Sequence, residues 1–555
     1  MPENDTLRDL VGRLGRATAL AGPQPVSYAD LHARALRLAA GLGSLGLKQG
    51  DTIAAQLPNS VEFLLCYLAA GYIGATLQTV HMPYRGAEVE TLLAHSRAAA
   101  AICLAQAKDG SPAEIILSRG LPHLRHVIAV GQPPAGALAF SSLRETPPDA
   151  FLPRVAATDR FLLLYTSGTT AAPKGVPVDY RRFLNNASLS AAELRVAPTS
   201  ILLSAAPFTH LYGLFSVNLA FTTGAATAIL PMFTPAALAT ALDQCRPTGL
   251  FVAPAHMSAC LNEGLLTRER LSSLRFVLIS GSVCPPALAH AVQERMPNGE
   301  VLQLWGMSEL QAGTFTRPGD PLAARTGSAG RASPGTQLRV ADGTAALAPG
   351  AEGELQVRGA SVFEGYLDNA EATAAAFTHD GWFRTGDLAR LDAAGNLQIT
   401  GRLKDVINRG GIKFNPTDVE AIVANHAAVA QCAIVPMPDP VLGERACCFV
   451  VPKPGATVTL DQLREWLTAH EVAKIKWPER LEIIDDMPMT PTRKVKKAEL
   501  AAWLGRTSEW RMANGESGER AGQRRPATRY SLLATRYSPF AINPQPCTAG
   551  SPEAE

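Results

Sequence analysis

The sequence lacks the features that mark membrane, secreted and nucleic-acid-binding proteins. It has no uninterrupted apolar run of about 18 residues, so no membrane-spanning helix is expected. The opening stretch, MPENDTLRDL, carries acidic side chains and no apolar core, which does not fit a secretory signal. The 51 Lys and Arg residues nearly balance the 49 Asp and Glu residues, and the net charge is +2. Electrostatic attraction to nucleic acid or to a membrane surface is therefore not expected.

The cysteines also lack a recognisable pattern. The chain has nine of them, with no CxxC pair and no histidine cluster at the spacing of a zinc site. Neither a disulfide framework nor a zinc centre is expected. The sequence instead predicts buried free thiols in a reducing compartment, with the cytoplasm as the expected location.

The chain is long and apolar enough for more than one domain, with 47% hydrophobic residues over 555 positions. Residues 27–46 have the spacing of an amphipathic helix, and a strand is expected at 52–57. Further apolar runs of strand length alternate with helical stretches, at residues 161–165, 201–205, 250–253, 275–279 and 301–305. This alternation predicts an α/β fold with largely parallel, buried strands, whose following loops carry the chemistry.

The character of the sequence changes near residue 400 and again near residue 506. We predict a large domain over residues 1–400 and a small α+β domain over residues 401–505. In the small domain we expect helices from about residue 417 and at 460–469, and strands at 433–435, 447–451 and 481–484. Residues 506–555 are rich in Arg, Ser, Pro and Gly, contain ATRYS twice and show no periodicity, which predicts a disordered tail.

The strongest local pattern is YTSGTTAAPKG, from Tyr165 to Gly175, which follows the apolar strand FLLL. Small and hydroxylated residues leave backbone N–H groups free to surround an anion, and Lys174 adds positive charge. A Walker A loop is excluded because Pro173 precedes Lys174 and Gly175 follows it. By composition alone, a polyphosphate cradle and a Ser/Thr-rich surface turn both remain open.

The same stretch resembles the signature YTSGTTGxPKG of the adenylate-forming superfamily, which includes acyl-CoA synthetases, peptide-synthetase adenylation domains and firefly luciferases. Ala171 stands where that signature has glycine. The resemblance extends over most of the chain and is greatest to AMP-forming acyl-CoA ligases. It implies ATP, Mg²⁺ and coenzyme A as co-substrate, and a small C-terminal domain that is mobile. It also assigns phosphate binding to Thr166, Ser167, Gly168, Thr169, Thr170 and Lys174.

Three further motifs follow in the order that the resemblance implies for the nucleotide site. The stretches SGSV and WGMSE would place Gly281, Ser282 and Gly306 along the adenine ring, with Trp305 stacked on it and Ser308 at the α-phosphate. Glu309 would hold magnesium, a hard cation that takes oxygen ligands. In GWFRTGDL and GRLKD, Asp387 and Arg402 would bind the ribose hydroxyls.

The stretch PFTHLYG, from Pro207 to Gly213, resembles the acyl-pocket motif of the superfamily, in which His210 would gate the acid. The predicted pocket is mostly apolar and consists of Phe208, His210, Ala253, Pro254, Met257 and Gly306. Amino-acid-activating relatives carry an Asp in this region, whereas PFTHLYG has no acidic residue. Because a buried, unpaired ammonium is costly, we predict a substrate without an α-amino group.

The resemblance also assigns roles in the small domain. Lys404 would be the hinge, and Lys494 would be the catalytic lysine of the adenylating orientation. The loop around Gly410 and Gly411 would face the incoming thiol, and Lys413 would contact phosphate. Arg493 stands where the superfamily usually has glycine.

The predicted activity is an AMP-forming ligation of a carboxylic acid to a thiol, most simply coenzyme A. A stand-alone enzyme that adenylates an acid and loads a separate carrier protein is the alternative. An inactive, nucleotide-binding regulatory homologue is an alternative of another class, suggested only by Ala171 and Arg493. The joint retention of five residues argues against that last possibility: Lys174, Glu309, Asp387, Arg402 and Lys494.

Overall fold

The structure is a computed structural model that describes residues 5–147, 152–166, 174–410, 412–490 and 494–504. Several predictions fall outside these residues: the loop residues Ser167, Gly168, Thr169 and Thr170, the substituted positions Ala171 and Arg493, Gly411 and the tail. Within the described ranges, no helix has the length and apolar character needed to cross a membrane. The cysteines that the structure describes are free thiols, as predicted.

The helices, numbered along the chain, are α1 Leu7–Arg13, α2 Tyr28–Ser44, α3 Val61–Tyr72, α4 Gly86–Ser96, α5 Pro112–Leu117, α6 Phe140–Leu143, α7 Tyr180–Glu193, α8 Leu211–Thr223, α9 Pro235–Cys245, α10 Pro254–Asn262, α11 Pro286–Gln293, α12 Leu322–Gly327, α13 Ala370–Ala376, α14 Pro416–Val423 and α15 Leu460–Ala469. Short 3₁₀ turns occur at Leu403–Asp405 and Lys474–Lys476.

The strands are β1 Thr18–Ala21, β2 Val26–Ser27, β3 Thr52–Gln56, β4 Thr76–Thr79, β5 Ala100–Leu104, β6 His126–Val130, β7 Leu138–Ala139, β8 Arg160–Thr166, β9 Lys174–Asp179, β10 Ile201–Ser204, β11 Ala226–Ala228, β12 Gly249–Val252, β13 Phe276–Ile279, β14 Glu300–Met307, β15 Gln311–Phe315, β16 Arg331–Ala332, β17 Thr336–Asp342, β18 Ala345–Ala346, β19 Gly353–Gly359, β20 Phe383–Leu391, β21 Leu397–Arg402, β22 Ile407–Arg409, β23 Ile412–Phe414, β24 Val429–Asp439, β25 Gly443–Pro452 and β26 Arg480–Ile483.

Two large sheets confirm the predicted α/β class. One has the order β16-β15-β14-β13-β12-β10-β11-β1-β2, and its strands from β14 to β1 pair in parallel. The other has the order β7-β6-β5-β3-β4-β8-β9 and is parallel up to β8, with β9 antiparallel at its edge. Both are buried between helices, which explains why their strands appear in the sequence as short continuous apolar runs.

A third sheet, of five antiparallel strands in the order β18-β17-β19-β20-β21, was not predicted. Its strands mix buried and exposed positions, so they lack the continuous apolar runs that identified the parallel strands. This sheet matters for function because β20 and β21 carry the pair Asp387 and Arg402 in directly opposed register.

The C-terminal segment forms its own sheet, with the order β23-β22-β25-β24 and β26 pairing with β25. The predicted helices are present as α14 and α15, but β24 and β25 are longer than predicted. Apart from Val429 at the start of β24, only the middle of each strand is buried, and the partly exposed positions continue the antiparallel pairing without an apolar signal. The division into two domains at residue 400 stays a prediction; β21 continues to Arg402.

Helix α8 connects the core to the site. Nearly all of its residues are buried, which fits its uniformly apolar sequence LYGLFSVNLAF. Gly213 in its first turn permits a close approach, since a Cβ atom there would lie 2.2 Å from the carbonyl oxygen of Pro207. The start of α8 therefore packs closely against Pro207, and His210 lies in the turn between Pro207 and Gly213.

Candidate active site

A buried carboxylate lies where β14, β20 and β21 meet. Asp387 is 4% exposed, and its Oδ2 accepts a hydrogen bond from the indole Nε1 of Trp305 at 2.8 Å. Its Oδ1 lies 2.9 Å from Nε of Arg402. The backbone N–H of Asp387 donates to the hydroxyl of Thr385 at 3.1 Å. The carboxylate is thus fixed in orientation, with lone pairs left to accept further hydrogen bonds from a ligand such as a ribose diol.

The position of Trp305 depends on a neighbouring glycine. A Cβ atom at Gly313 would lie 2.5 Å from a carbon of the indole ring, so the ring needs the space that this glycine leaves. Gly306 is equally constrained, because a Cβ atom there would lie 2.0 Å from the carbonyl oxygen of Gln311. Trp305 therefore orients Asp387, a contact that the sequence did not predict; its stacking on adenine stays a prediction.

Glu309 follows β14 and is also buried, with 4% exposure. Its Oε1 accepts a hydrogen bond from the hydroxyl of Tyr366 at 3.0 Å, and Oε2 has no hydrogen-bond partner among the residues that the structure describes. Burial raises the pKa of Glu309, against the opposing effects of Tyr366 and of the cations Arg402 and Lys174. A buried carboxylate oxygen without a partner fits a hard cation such as Mg²⁺.

The described residues contain no cluster of three or more His, Cys, Asp or Glu side chains able to hold a metal. One carboxylate is nevertheless a sufficient protein contribution for Mg²⁺, which commonly takes one or two carboxylates together with substrate phosphates and water. Glu309 therefore fits a metal that arrives with a polyphosphate.

Lys174 begins β9, where it pairs in register with Thr166 at the end of β8. These two residues frame the segment 167–173, which lies outside the described residues. The Lys174 ammonium lies 4.8 Å from the ring centroid of Tyr366, within cation–π distance. The predicted phosphate lysine and the predicted metal ligand therefore contact the same tyrosine.

Lys494 lies in the last part of the chain that the structure describes, where its backbone contacts Thr490. The N–H of Thr490 donates to its carbonyl oxygen at 2.7 Å, and its own N–H donates to the hydroxyl of Thr490 at 3.0 Å. Three residues on, the ammonium of Lys497 forms a 2.7 Å ion pair with Glu420 of α14. These contacts anchor the backbone of Lys494 to the C-terminal sheet and its helix.

The Lys494 side chain interacts electrostatically with charged groups of the antiparallel sheet and with Glu309, which follows β14. Burial lowers its pKa to about 8, and the positive charge of Arg402 lowers it further, whereas Asp387 and Glu309 oppose these effects. Lys494 also depresses the pKa of His210, although burial is the larger cause there. The structure thus brings Lys494, Asp387, Glu309 and His210 together from distant parts of the chain.

His210 caps α8, and its Nδ1 accepts a hydrogen bond from the N–H of Tyr212 at 3.2 Å. Its ring stacks on that of His81, with centroids 6.3 Å apart. His81 Nδ1 is 2.8 Å from the hydroxyl of Thr209. Burial lowers the pKa of His81 to about 4 and that of His210 well below its ordinary value, so both imidazoles are neutral near pH 7.

The other predicted pocket residues lie in different surroundings. Phe208 is fully buried and packs against Phe63, with ring centroids 5.9 Å apart. Met257 is buried in a separate hydrophobic cluster with β12 and β13. Ala253 lies between β12 and Pro254, the first residue of α10. Beside it, after β13, is Gly281 in a left-handed conformation (φ +96°), followed by the exposed Ser282. Their contacts with an acid or with adenine stay predictions.

Three of the remaining predicted residues lie near the start of the C-terminal sheet, and the fourth, Ser308, follows β14. Lys404 is in the 3₁₀ turn between β21 and β22, the position expected of a hinge. Gly410 has φ +59° in the turn between β22 and β23, and its N–H donates to the carbonyl oxygen of Leu442 at 2.8 Å. Lys413 is exposed on β23, and Ser308 is half-buried after β14. The roles of these four residues stay predictions.

Two family models match the chain. One, for the AMP-binding enzyme, matches residues 7–367, and the other, for the AMP-binding enzyme C-terminal domain, matches residues 418–494. The chain belongs to the AMP-binding enzyme family. The predicted resemblance to adenylate-forming enzymes is thereby confirmed.

Named relatives of this AMP-binding enzyme are coenzyme A ligases. The medium-chain fatty-acid–CoA ligase of Escherichia coli is 33% identical over 85% of this chain and 84% of its own length. A feruloyl-CoA synthase of an Amycolatopsis species is also 33% identical, over 88% of this chain and 96% of its own. The ATP-bound structure of MatB from Rhodopseudomonas palustris superposes with a TM-score of 0.82 at 27% identity, covering 90% of this chain and 99% of that one.

Sequence reasoning missed three residues of this AMP-binding enzyme site. Tyr366, in FEGYLD, follows β19 in a segment without periodicity, and only its adjacent glycine marked it as unusual. His81 follows the buried strand β4, at the carboxyl end where such sheets bind ligands, and that position was an available signal. Glu420 had no signal, because its partner Lys497 is far along the chain.

Proposed function

We propose that this chain is an AMP-forming acid–thiol ligase, which activates a carboxylic acid without an α-amino group as acyl-AMP and transfers the acyl group to coenzyme A. The observation that carries the proposal is the electrostatic interaction of Lys494, from the C-terminal segment, with Asp387 of the antiparallel sheet, Glu309 after β14 and His210 before α8. An attack on ATP requires three kinds of group: a cation, a hydrogen-bond acceptor for the ribose hydroxyls, and a carboxylate that can bind a metal ion.

In the first step a carboxylate oxygen attacks the α-phosphorus of ATP, and the bond from that phosphorus to pyrophosphate breaks. Two anions must approach each other, so the site has to neutralise charge as it develops. Lys494 supplies a cation at the attacking side and Lys174 a cation toward the leaving pyrophosphate. Asp387 and Arg402 hold the ribose, which fixes the α-phosphate relative to both lysines.

Mg²⁺ held by Glu309, together with the phosphates, would screen the negative charge of the triphosphate. The buried Oε2 of Glu309 supports this assignment. Thr166 and the loop that follows it are proposed to hold the terminal phosphates.

In the second step the sulfur of the thiol attacks the acyl carbonyl carbon, the carbon–oxygen bond to AMP breaks, and the thiol proton is released. Coenzyme A is the proposed acceptor because the relatives described above are named coenzyme A ligases or synthases. For this step we propose that Lys404 is the hinge and that the turn at Gly410 faces the thiol.

The acid site is proposed to favour a carboxylate without an amino group. His81 and His210 are neutral there, and the cation Lys494 acts electrostatically on His210. An ammonium on the substrate would meet a like charge and no carboxylate partner in PFTHLYG. Aliphatic and aryl acids both satisfy this condition, and both occur among the substrates named in the relatives.

The proposal is tested by ATP–pyrophosphate exchange with a panel of medium-chain fatty acids, cinnamic-type acids and amino acids. We expect exchange with members of the first two groups and none with amino acids. Added coenzyme A should give AMP and a thioester with the same acids. Exchange without a thioester would favour a carrier-protein acceptor, whereas no exchange with folded protein would leave only a nucleotide-binding homologue.

The pH dependence of adenylation should depend on Lys494, whose lowered pKa of about 8 reflects burial among Arg402, Lys404, Asp387 and Glu309. The Lys494 amine is protonated below its pKa and loses its positive charge as the pH rises. The kcat/KM for ATP in the exchange reaction should therefore fall above about pH 8. Lys494→Arg keeps its charge to higher pH and should remove this fall. An unchanged profile in Lys494→Arg would assign the fall to another group.

A further inference from the structure

Residues 362–367 form a short segment between β19 and α13 that touches both the predicted metal ligand and the predicted phosphate lysine. The N–H of Phe363 donates to the carbonyl oxygen of Glu309 at 2.7 Å. The N–H of Leu367 donates to the carbonyl oxygen of Gly175 at 2.8 Å, next to Lys174. The segment therefore connects the backbone that follows β14 to the backbone of β9, and these two strands belong to different sheets.

The side chain of Tyr366 repeats this connection. Its hydroxyl donates to Oε1 of Glu309 at 3.0 Å, while the face of its ring lies 4.8 Å from the ammonium of Lys174. The hydroxyl is the donor in this contact, because an ionised carboxylate can only accept. One rigid ring thus determines both the orientation of a carboxylate and the position of a cation.

We propose that Tyr366 is a positioning residue of the ATP site, which holds Glu309 and Lys174 at the separation needed for a metal-bound triphosphate. This inference rests on the proposed function and adds a residue and a role to it. Tyr366 occupies Oε1 of Glu309, so that Oε2, the oxygen without a partner among the described residues, is the one presented to Mg²⁺.

The surroundings of Tyr366 are built to keep it in place. Its N–H donates to the hydroxyl of Thr373 at 2.9 Å, and its ring packs edge-on against Phe363, with centroids 4.8 Å apart. Arg182 of α7 donates to the carbonyl oxygen of Val362 at 3.1 Å. A tyrosine so constrained keeps its hydroxyl on Glu309 without a bound ligand, which is the preorganisation that an electrostatic site requires.

Two substitutions separate the two contacts of Tyr366. Tyr366→Phe removes the hydroxyl and retains the ring beneath Lys174, whereas Tyr366→Leu removes both. Tyr28→Phe is the matched control, because Tyr28 is a buried tyrosine whose hydroxyl donates to the carbonyl oxygen of Ala225 at 2.6 Å, and no role at the site is assigned to it. Thermal unfolding of all three variants reports how much each change affects the fold.

The readout is the affinity for ATP, measured by calorimetry with and without Mg²⁺, which needs neither an acid nor turnover. In Tyr366→Phe, Oε1 of Glu309 is left buried without its hydrogen-bond donor, and the Glu309 carboxylate can rotate. The gain in ATP affinity that Mg²⁺ provides should therefore fall about tenfold. Affinity for metal-free ATP should change by less than about twofold, since the cation–π contact remains. Tyr366→Leu should lower the metal-free affinity as well, and Tyr28→Phe should change neither.

A double substitution tests whether Tyr366 acts through Glu309. If it does, Tyr366→Phe should add little to the loss of Mg²⁺ dependence caused by Glu309→Gln alone. Additive losses, or an unchanged Mg²⁺ dependence in Tyr366→Phe, would overturn the inference, even if the protein proved an active ligase. Should the wild-type chain bind Mg–ATP yet activate no acid, the proposed activity would fail while the role of Tyr366 stood.

Discussion

Lys494→Ala is expected to lower acyl-adenylate formation by about a hundredfold or more, the effect of removing a preorganised charge from a phosphoryl or acyl transfer site. The ammonium is the cation that the C-terminal segment brings to Asp387, Glu309 and His210. The neighbouring cation Arg402 is already paired with Asp387, and Lys174 lies against Tyr366, so both have other partners. The measurement is ATP–pyrophosphate exchange with an acid that the wild-type chain accepts.

The same variant should convert supplied acyl-adenylate and coenzyme A to thioester at close to the wild-type rate. That half-reaction forms no bond to phosphorus, so it does not need a cation at the attacking side. Lys496→Ala is the control, because Lys496 is two residues away and its ammonium forms an exposed 2.7 Å ion pair with Glu499. Equal loss of both half-reactions in Lys494→Ala would contradict the proposal that Lys494 acts in adenylation and not in thioester formation.

Asp387→Asn is expected to raise the KM for ATP by about tenfold to a hundredfold, because charge-assisted hydrogen bonds to a ligand are lost and Arg402 loses its anionic partner. The sharper readout is the preference for ATP over 2′-deoxy-ATP. A carboxylate that accepts from the ribose hydroxyls discriminates between these nucleotides, and an amide of the same size should discriminate less.

The control for this substitution is Asp380→Asn. Asp380 also pairs with an arginine, with two contacts of 2.7 and 3.0 Å from Arg339, but at an exposed position. It should leave the KM for ATP and the nucleotide preference unchanged, whatever it does to stability. If Asp387→Asn kept the wild-type preference for ATP over the deoxynucleotide, the assignment of Asp387 to the ribose would be wrong.

The sequence alone predicted the fold class because parallel strands buried on both faces leave short, continuous apolar runs. The amphipathic helix predicted from residue 27 is α2, which begins one residue after Ser27; the Ser27 hydroxyl accepts a hydrogen bond from the N–H of Asp30 at 3.1 Å. The antiparallel sheet of β17 to β21 escaped prediction because its strands mix buried and exposed positions.

The sequence also determined the family, since chemistry-bearing residues such as Lys174, Glu309, Asp387 and Lys494 occur in recognisable motifs. It did not determine which of them share a partner. The contacts of Tyr366 with Glu309 and Lys174, of Trp305 with Asp387, and of His81 with His210 join residues far apart in the chain. Only the packing of three sheets against one another brings these side chains together, because hydrogen bonds, ring contacts and burial depend on distance in space and not on spacing along the sequence.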